Sequence, residues 1–221
     1  MCSRYAMTSS PQVVRAWFKH ENETDYPPRY DIRPTEPVLI VRLDHARRRE
    51  ITLVRWGLIP SWSKEPGKYG ALFNARAETA VEKPSFRGPM RHRRCLVPAD
   101  GYYEWASRKG SSKSSRKPHL VRPVADGPIA FAGLWDHWLG ADGSELETMA
   151  ILTVEASADV SKLNDRMPIV LNPRDYDAWL DVSSGQTGVA SSLLRPAPAG
   201  TFAIREVASN LQQGDNQTKE M

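Results

Sequence analysis

Cys2 is the residue whose position most directly suggests a chemical role. A small residue after Met1 permits removal of the initiator methionine, and we expect that removal to leave a cysteine at the N-terminus. Such a cysteine carries a thiol and a free α-amine, with reference pKa values of about 8.5 and about 7.7–8.0. Against an aldehyde, the amine forms an imine and the thiol then closes a thiazolidine ring. Position alone does not decide the matter, because a cysteine here can also be an accident of the start site.

Three motifs further along the chain combine polar and aromatic side chains. Residues 56–62 (WGLIPSW) place two tryptophans where a strand meets a loop, and residues 73–79 (FNARAET) alternate polar side chains on one face of an extended segment. In residues 100–105 (DGYYEW), Glu104 lies between aromatics, where desolvation could raise its pKa into the range of a general acid or base. Each motif also has a simpler interpretation: tryptophans in the core, Asn74 and Arg76 on a surface turn, and Glu104 facing solvent.

The sequence lacks the patterns that are typical of metal or nucleotide sites. Its five histidines never pair at ligand spacing, and it contains no HExxH, CxxC or GxSxG motif and no Gly-rich phosphate loop. We therefore expect neither a metal nor a cofactor. Two cysteines are too few for a disulfide framework, and Cys95, flanked by apolar residues, is expected to be a buried structural thiol.

Together, these segments resemble the SOS-response-associated peptidase family, the abasic-site-processing proteins. The resemblance runs from Met1-Cys2 through WGLIPSW and NARAET to CLVPADGYYEW at 95–105, TVEA at 153–156 and DRMPIVL at 165–171. It therefore covers most of the chain to about residue 180. Any one of these motifs is weakly specific, but their order and spacing are highly specific.

The resemblance implies a sensor and shield of abasic sites in single-stranded DNA that needs no cofactor. Its implied reaction is capture of the C1′ aldehyde of the ring-opened sugar as a thiazolidine cross-link to Cys2. Glu104 is then implied to be the acid/base, and Asn74 to form a hydrogen bond at the reacting centre. The implied DNA contacts are made by the arginines at phosphates and by a tryptophan through stacking: Arg4, Arg76, Arg166 and Trp62.

The family is also described as peptidase-like, which implies a hydrolase or protease class with lyase-type Schiff-base chemistry. Here only Met1 precedes the cysteine, so a cellular aminopeptidase would suffice for its removal. Two other functions stay open. One is non-covalent binding of single-stranded DNA with weakened chemistry, and the other is cleavage of peptides or amides by an N-terminal nucleophile.

Three positions depart from the family pattern. Asn164 stands where members usually carry histidine, and an amide donates a hydrogen bond but cannot shuttle a proton. We expect it to keep the geometry of the catalytic group and to slow proton-dependent steps. Ser3 replaces a common glycine and would be strained at a positive φ. Asp31 replaces an asparagine and would repel DNA if it faced the channel.

Two basic runs, at 45–49 and 91–94, could bind phosphates with little sequence dependence. Solvated loops are the usual fate of an isolated run of charges. The second run lies immediately before the segment that carries Glu104, and we therefore expect it to face DNA.

The elements that must position these residues are short. Ser10 predicts a helix cap before residues 11–19, and Asn172-Pro173 predicts the start of a helix that runs through Leu180. Residues 107–118 have the composition of a linker, and we interpret them as a long hairpin loop within one domain. Strands are predicted from apolar and β-branched runs at 38–43, 50–58, 95–97, 101–105, 119–122, 129–134, 149–155 and 169–171.

These elements predict an α+β fold, with many short, mainly antiparallel strands in a barrel-like curved sheet and with peripheral helices. We expect a single domain over residues 1–208 and a polar, disordered tail over 209–221.

Composition sets broader bounds. The 221 residues include 30 Lys and Arg against 26 Asp and Glu, a net charge of +4, so an anionic partner must meet a local patch of charge. A hydrophobic content of 40% argues against a disordered chain. No apolar run approaches the roughly 18 residues of a membrane helix, and the N-terminus lacks the apolar region of a signal peptide. We expect a cytoplasmic monomer with no membrane partner, and the resemblance implies that it joins the nucleoid during DNA damage.

Overall fold

The computed structural model describes residues 2–65, 72–106 and 117–208. Within these ranges, the helices are α1 (Pro11–Phe18), α2 (Ala77–Ala80), α3 (Pro84–His92), α4 (Tyr176–Leu180) and α5 (Gly188–Ser192), with a 3₁₀ turn at Pro173–Asp175. The strands are β1 (Tyr5–Met7), β2 (Arg29–Ile32), β3 (Pro37–Leu43), β4 (Arg49–Trp56), β5 (Asn74–Arg76), β6 (Arg94–Ala99), β7 (Gly101–Trp105), β8 (Pro118–Pro123), β9 (Ile129–Leu139), β10 (Glu145–Glu155), β11 (Arg166–Pro168), β12 (Val170–Leu171) and β13 (Phe202–Glu206).

Five strands of the described chain close into a barrel. β3 and β4 pair antiparallel, β4 pairs parallel with β10, and β10 pairs antiparallel with β9. β9 then pairs with β6, and β6 returns to β3 where Leu96 meets Val41. Closure removes exposed strand edges, and the nearly continuous apolar runs of β3 and β6 are buried. The predicted α+β fold with a barrel-like, mainly antiparallel sheet is confirmed.

A second sheet lies beside the barrel, with its strands in the order β13-β8-β7-β1-β2 among the described residues. β7 and β8 are antiparallel, with Trp105 opposite Pro118, which confirms the predicted hairpin. Residues 107–116 of its loop and the predicted tail at 209–221 lie outside the described residues. Tyr5 of β1 packs edge-on against Trp56 and Phe131 of the barrel, with ring centroids 5.3 and 5.8 Å apart. These aromatic contacts join the second sheet to the barrel.

β10 is the strand to which the site-bearing segments attach. It pairs parallel with β5, placing Ile151 opposite Asn74, and antiparallel with β11, placing Glu155 opposite Arg166. The predicted extended segment 73–79 is wrong beyond Arg76, because the chain turns there into the single helical turn α2. Alanine favours helix, and the small side chains of Ala77 and Ala80 let this turn pack into the core.

Both predicted helix starts are confirmed. The Ser10 side chain accepts a hydrogen bond from the backbone N–H of Val13, and α1 begins at Pro11. The Asn172 side chain accepts one from Arg174, but the first turn there is 3₁₀ and α4 follows it. No helix in the described ranges is long and apolar enough to span a membrane.

The residues of the basic run at 91–94 differ in exposure: Arg91 and His92 are exposed, Arg93 is half-buried and Arg94 is buried. Arg94 is buried and donates to the carbonyls of Met90, Trp179 and Asp181, which lie at the C-terminal ends of α3 and α4. A cation at these helix ends is favoured by the carbonyl dipoles. Arg93 forms an ion pair with the buried Asp136 at 3.2 Å. The prediction is wrong for Arg94, whose charge is used inside the fold, and it stays a prediction for the rest of the run.

The run at 45–49 is surface exposed or half-buried, and its three arginines form ion pairs. Their partners lie in the same turn or near α4: Arg47 with Asp181, Arg48 with Asp44 and Arg49 with Asp177. Cys95 is fully buried, as predicted for a structural thiol.

Candidate active site

Cys2 lies buried at the entrance to β1, next to the strand that carries Glu104. β1 pairs with β7, and the backbone N–H of Tyr103 donates to the carbonyl of Arg4 at 2.9 Å. The Cys2 thiol donates a weak hydrogen bond to that same carbonyl, with 3.8 Å from Sγ to the oxygen. Burial raises the pKa of the Cys2 thiol far above its ordinary value, and the negative charge of Glu104 adds to this shift. The resting sulfur is therefore a neutral thiol.

Asn74 holds the backbone of Cys2. Its Nδ2 donates to the Cys2 carbonyl oxygen at 2.7 Å, from the first residue of β5. Its Oδ1 is buried and accepts no hydrogen bond from any described residue. A buried amide oxygen without a donor is costly. Asn74 therefore presents a vacant acceptor beside Cys2, suited to an ammonium or hydroxyl group that arrives during a reaction.

Glu104 is the acid of the cluster. Its side chain lies on β7 with 3% of the residue exposed, and its Oε2 accepts a hydrogen bond from Asn164 Nδ2 at 2.9 Å. Burial raises the pKa of Glu104, and the bond from Asn164 opposes that rise by favouring the ionised form. A carboxyl group with a raised pKa exchanges protons more readily near neutral pH than an ordinary glutamate does.

Asn164 occupies the place from which a histidine would reach Glu104. Its Oδ1 accepts a hydrogen bond from the backbone N–H of Arg166 at 3.2 Å, and this orients its amide nitrogen toward the carboxylate. The contact expected of the residue at this position is present, with an amide as the donor. Ser3 does not have a positive φ, so the strain considered for it does not arise.

Arg4 and Asp31 lie together beside Trp105. The Arg4 guanidinium stacks over the Trp105 indole at 5.2 Å from the ring centroid, and its Nη1 lies 3.5 Å from Asp31 Oδ2. Asp31, whose side chain is only 2% exposed, also accepts a hydrogen bond from Arg33 Nε at 2.9 Å. The negative charge that could have repelled DNA is thus buried and balanced by two arginines.

Arg166 is held by Glu78, an acid whose partner was not predicted from the sequence. Its guanidinium makes two bonds to the carboxylate of Glu78, at 2.5 and 2.9 Å, and a third to the carbonyl of Thr153 at 2.7 Å. Only 16% of the Arg166 side chain is exposed. Arg76, one residue before α2, is exposed on the surface. A phosphate would meet Arg76 directly, whereas at Arg166 it would compete with Glu78.

Trp62 is half-exposed and its loop is anchored from three sides. Asp136 accepts the backbone N–H of Ser61 at 2.9 Å, and Trp138 Nε1 donates to the Ser63 carbonyl at 2.7 Å. The Trp62 indole N–H itself donates to the Pro84 carbonyl at 3.3 Å. An exposed aromatic ring held in this way offers a rigid stacking surface.

The described contacts therefore join Cys2 to Asn74, and Glu104 to Asn164, in adjacent parts of one buried cluster. Arg4 lies beside this cluster, where its carbonyl accepts a hydrogen bond from Tyr103 of β7. Trp62 donates to Pro84 at the start of α3, and no described hydrogen bond links it to the four residues of the cluster. Two polar groups near the cluster were not predicted from the sequence, the carboxylate of Glu78 and the hydroxyl of Tyr102. Glu78 belongs to the NARAET motif, and strand alternation places Tyr102 on the same face of β7 as Glu104.

Comparison with known proteins gives a consistent result. A model of the SOS response associated peptidase (SRAP) family matches residues 1–213. The chain is 32% identical to the abasic site processing protein YoqW of Bacillus subtilis (strain 168), covering 100% of this chain and 98% of the relative. It is 34% identical to the abasic site processing protein HMCES of Gallus gallus, covering 90% of this chain and 66% of the relative.

Solved structures agree with these matches. A Bacteroides thetaiotaomicron protein superposes with a TM-score of 0.83 at 25% identity, covering 94% of this chain and 93% of that one. A Bordetella bronchiseptica protein superposes with a TM-score of 0.78 at 26% identity, covering 94% and 100%. The chain belongs to the SOS response associated peptidase (SRAP) family.

Proposed function

We propose that this chain captures abasic sites in single-stranded DNA as a covalent thiazolidine at Cys2, after removal of Met1. The observation that carries the proposal is the buried cluster in which Asn74 holds the Cys2 backbone and Asn164 holds Glu104. An aminothiol, a vacant amide acceptor and a carboxyl group with a raised pKa are the groups that this chemistry needs. The names of the relatives, abasic site processing proteins, support the same target.

The reaction uses these groups in turn. The neutral α-amine of Cys2 adds to the C1′ aldehyde of the ring-opened sugar, and Glu104 carries one amine proton to the former carbonyl oxygen, which gives a carbinolamine. Glu104 then carries the remaining amine proton to the carbinolamine hydroxyl, which leaves as water and gives a neutral imine. The Cys2 sulfur adds to the imine carbon, and its proton ends on the nitrogen. The net change joins one aldehyde and one aminothiol with loss of one water.

The DNA strand is proposed to bind across Arg4, Arg76, Arg166 and Trp62. Arg76 is exposed and ready for a phosphate, and Trp62 offers its indole for stacking. Arg4 and Arg166 are paired with Asp31 and Glu78 in the free protein. Phosphate binding there replaces one anion by another, which gives a modest affinity that falls as salt rises.

A denaturing gel tests the proposal. The wild-type protein and Cys2→Ala are incubated with single-stranded DNA that carries one abasic site, and intact DNA serves as the substrate control. We expect a shifted band that requires both Cys2 and the abasic site. A tag placed before Cys2 should abolish the band because it acylates the amine. A band that persists in Cys2→Ala would refute thiazolidine capture.

One observation favours a second candidate, non-covalent binding of single-stranded DNA. Asn164 cannot shuttle protons, so the chemistry at Glu104 could be too slow to trap DNA. DNA binding in solution without a shifted band on the denaturing gel would support this candidate. Cleavage of peptides or amides without any DNA binding would instead support an N-terminal-nucleophile hydrolase.

A further inference from the structure

The Tyr102 hydroxyl is a buried polar group that the chemistry above does not use. Tyr102 is fully buried, and its oxygen has no hydrogen-bond partner among the described residues. Its ring meets Phe131 and Phe202 edge-on, with centroids 6.0 and 6.2 Å away. A phenylalanine would keep these contacts without the cost of an unsatisfied hydroxyl. The hydroxyl therefore calls for an explanation beyond packing.

Strand geometry places this hydroxyl on the side of the sheet that faces the reacting groups. Tyr102 and Glu104 are two residues apart on β7 and point to the same face, while Tyr103 points to the other. Tyr102 also lies opposite Tyr5 on β1, three residues from Cys2. Burial raises the pKa of the Tyr102 hydroxyl, and negative charge on Cys2 or Glu104, when either is ionised, raises it further. Tyr102 therefore keeps its proton, and its O–H is available as a hydrogen-bond donor.

The Cys2 sulfur is the group that most needs such a donor. Burial disfavours its thiolate, and its only described hydrogen bond is the long one that it donates to Arg4. During ring closure the sulfur gives up its proton and carries negative charge as the carbon–sulfur bond forms. A hydrogen bond from a neutral hydroxyl stabilises that charge without adding a competing base.

We propose that the Tyr102 hydroxyl is a further catalytic group, which donates a hydrogen bond to the Cys2 sulfur while the thiazolidine ring closes. In this step the sulfur–carbon bond forms, the C=N double bond becomes single, and the sulfur proton ends on nitrogen. Tyr102 retains its own proton throughout. The proposal rests on the proposed function, and it assigns Tyr102 to the second half of the reaction only.

Tyr102→Phe tests this assignment because it removes one oxygen. Cross-linking is started with abasic single-stranded DNA, and samples are treated with cyanoborohydride, which reduces the imine to a stable amine. Mass spectrometry then separates reduced imine from thiazolidine. We expect imine formation at the wild-type rate and ring closure slowed roughly 10- to 100-fold, the usual worth of a hydrogen bond to a charged group.

The pH dependence supplies a readout that a packing role would not move. Without the donor, negative charge that forms on the Cys2 sulfur during ring closure is less stabilised, so the rate profile of ring closure should shift to higher pH in Tyr102→Phe. Among the described residues, the titratable groups besides Cys2 that face Tyr102 are Glu104 on β7, Tyr5 on β1 and Asp159 after β10. All of them are unchanged in the variant.

Tyr176→Phe is the matched control, because it removes a buried hydroxyl from α4, where the ring stacks on Phe18. It should close the ring at the wild-type rate and pH. Tyr102→Phe should also unfold at or above the wild-type temperature. Ring closure at the wild-type rate and pH in Tyr102→Phe, or equal slowing of both steps, overturns the role of Tyr102. Loss of Cys2-dependent cross-linking in the wild type would instead overturn the proposed function.

Discussion

Replacing Asn164 with histidine tests whether a missing proton shuttle limits the chemistry at Glu104. Asn164 Nδ2 lies 2.9 Å from Glu104 Oε2, so an imidazole at this position can reach the same carboxylate. The amide donates a hydrogen bond without exchanging a proton, whereas imidazole titrates near pH ~6.5. We expect Asn164→His to accelerate both formation and reversal of the cross-link, since both need proton transfer.

The size of the effect follows from the environment of Glu104. Glu104 is 3% exposed, so bulk water does not easily replace a neighbouring side chain as its proton-transfer partner. A positioned acid or base contributes about 10²- to 10⁴-fold to a rate. Glu104 already supplies part of that effect, and we therefore expect the lower end, about 100-fold. The gain should be largest near pH ~6.5, where imidazole is present in both protonation states.

Rapid-quench time courses on abasic single-stranded DNA measure formation, and release into excess competitor DNA measures reversal. Asn164→Ala is the matched control. It removes the donor to Glu104, raises the pKa of that carboxyl further and should slow both directions. Unchanged rates for Asn164→His in both directions, with a wild-type unfolding temperature, would refute the argument that Asn164 limits proton transfer.

Three further predictions concern buried or paired charges. Burial raises the pKa of Glu104, so the native state holds its proton more tightly than the unfolded state does, and ionisation at neutral pH costs stability. Glu104→Gln should therefore slow cross-linking about 10²-fold or more, yet raise the unfolding temperature at pH 7 and not at pH 3, by calorimetry. Glu78→Gln should free Arg166 and tighten binding of single-stranded DNA up to about fivefold at low salt, by fluorescence anisotropy, because half-exposed ion pairs are weak; weaker binding would show that Glu78 positions Arg166. Arg94→Met removes the Arg94 donor from three carbonyls, two in buried hydrogen bonds and one in a part-buried bond. It should lower the free energy of unfolding by about 3 kcal/mol or more in urea titrations; a loss below about 1 kcal/mol would contradict this.

The part of the site that sequence could predict is the part that depends on local chemistry. Cys2 was identified by its position after Met1, and Glu104 as an acid that lies between aromatic residues in a strand. The barrel and the β7–β8 hairpin followed from apolar runs and from a linker-like insertion between them. Alternation on β7 also places Tyr102 and Glu104 on one face, although no role for Tyr102 was predicted from the sequence.

The rest depended on contacts between distant segments. Arg91 and Arg94 lie in the same basic run, so the sequence does not distinguish their exposure. Arg94 is buried because it donates to carbonyls of both α3 and α4. Glu78 becomes the partner of Arg166 because α2 turns at the end of β5 and faces β11, a separation of 88 residues. Charge runs carry no information on such pairings, so a basic run predicts a DNA patch and a structural cation equally well.

The register of β10 carries a consequence for how this protein can vary. One strand holds Asn74 through β5 and Arg166 through β11, which pair with opposite edges of β10. Substitutions along β10 change side chains one at a time, but an inserted or deleted residue shifts both neighbours and turns alternate side chains to the other face. Length variation between related chains should thus be absent from β10 and confined to segments that do not pair with it. A single change in the register of β10 would therefore displace the Asn74 amide and the Arg166 guanidinium together.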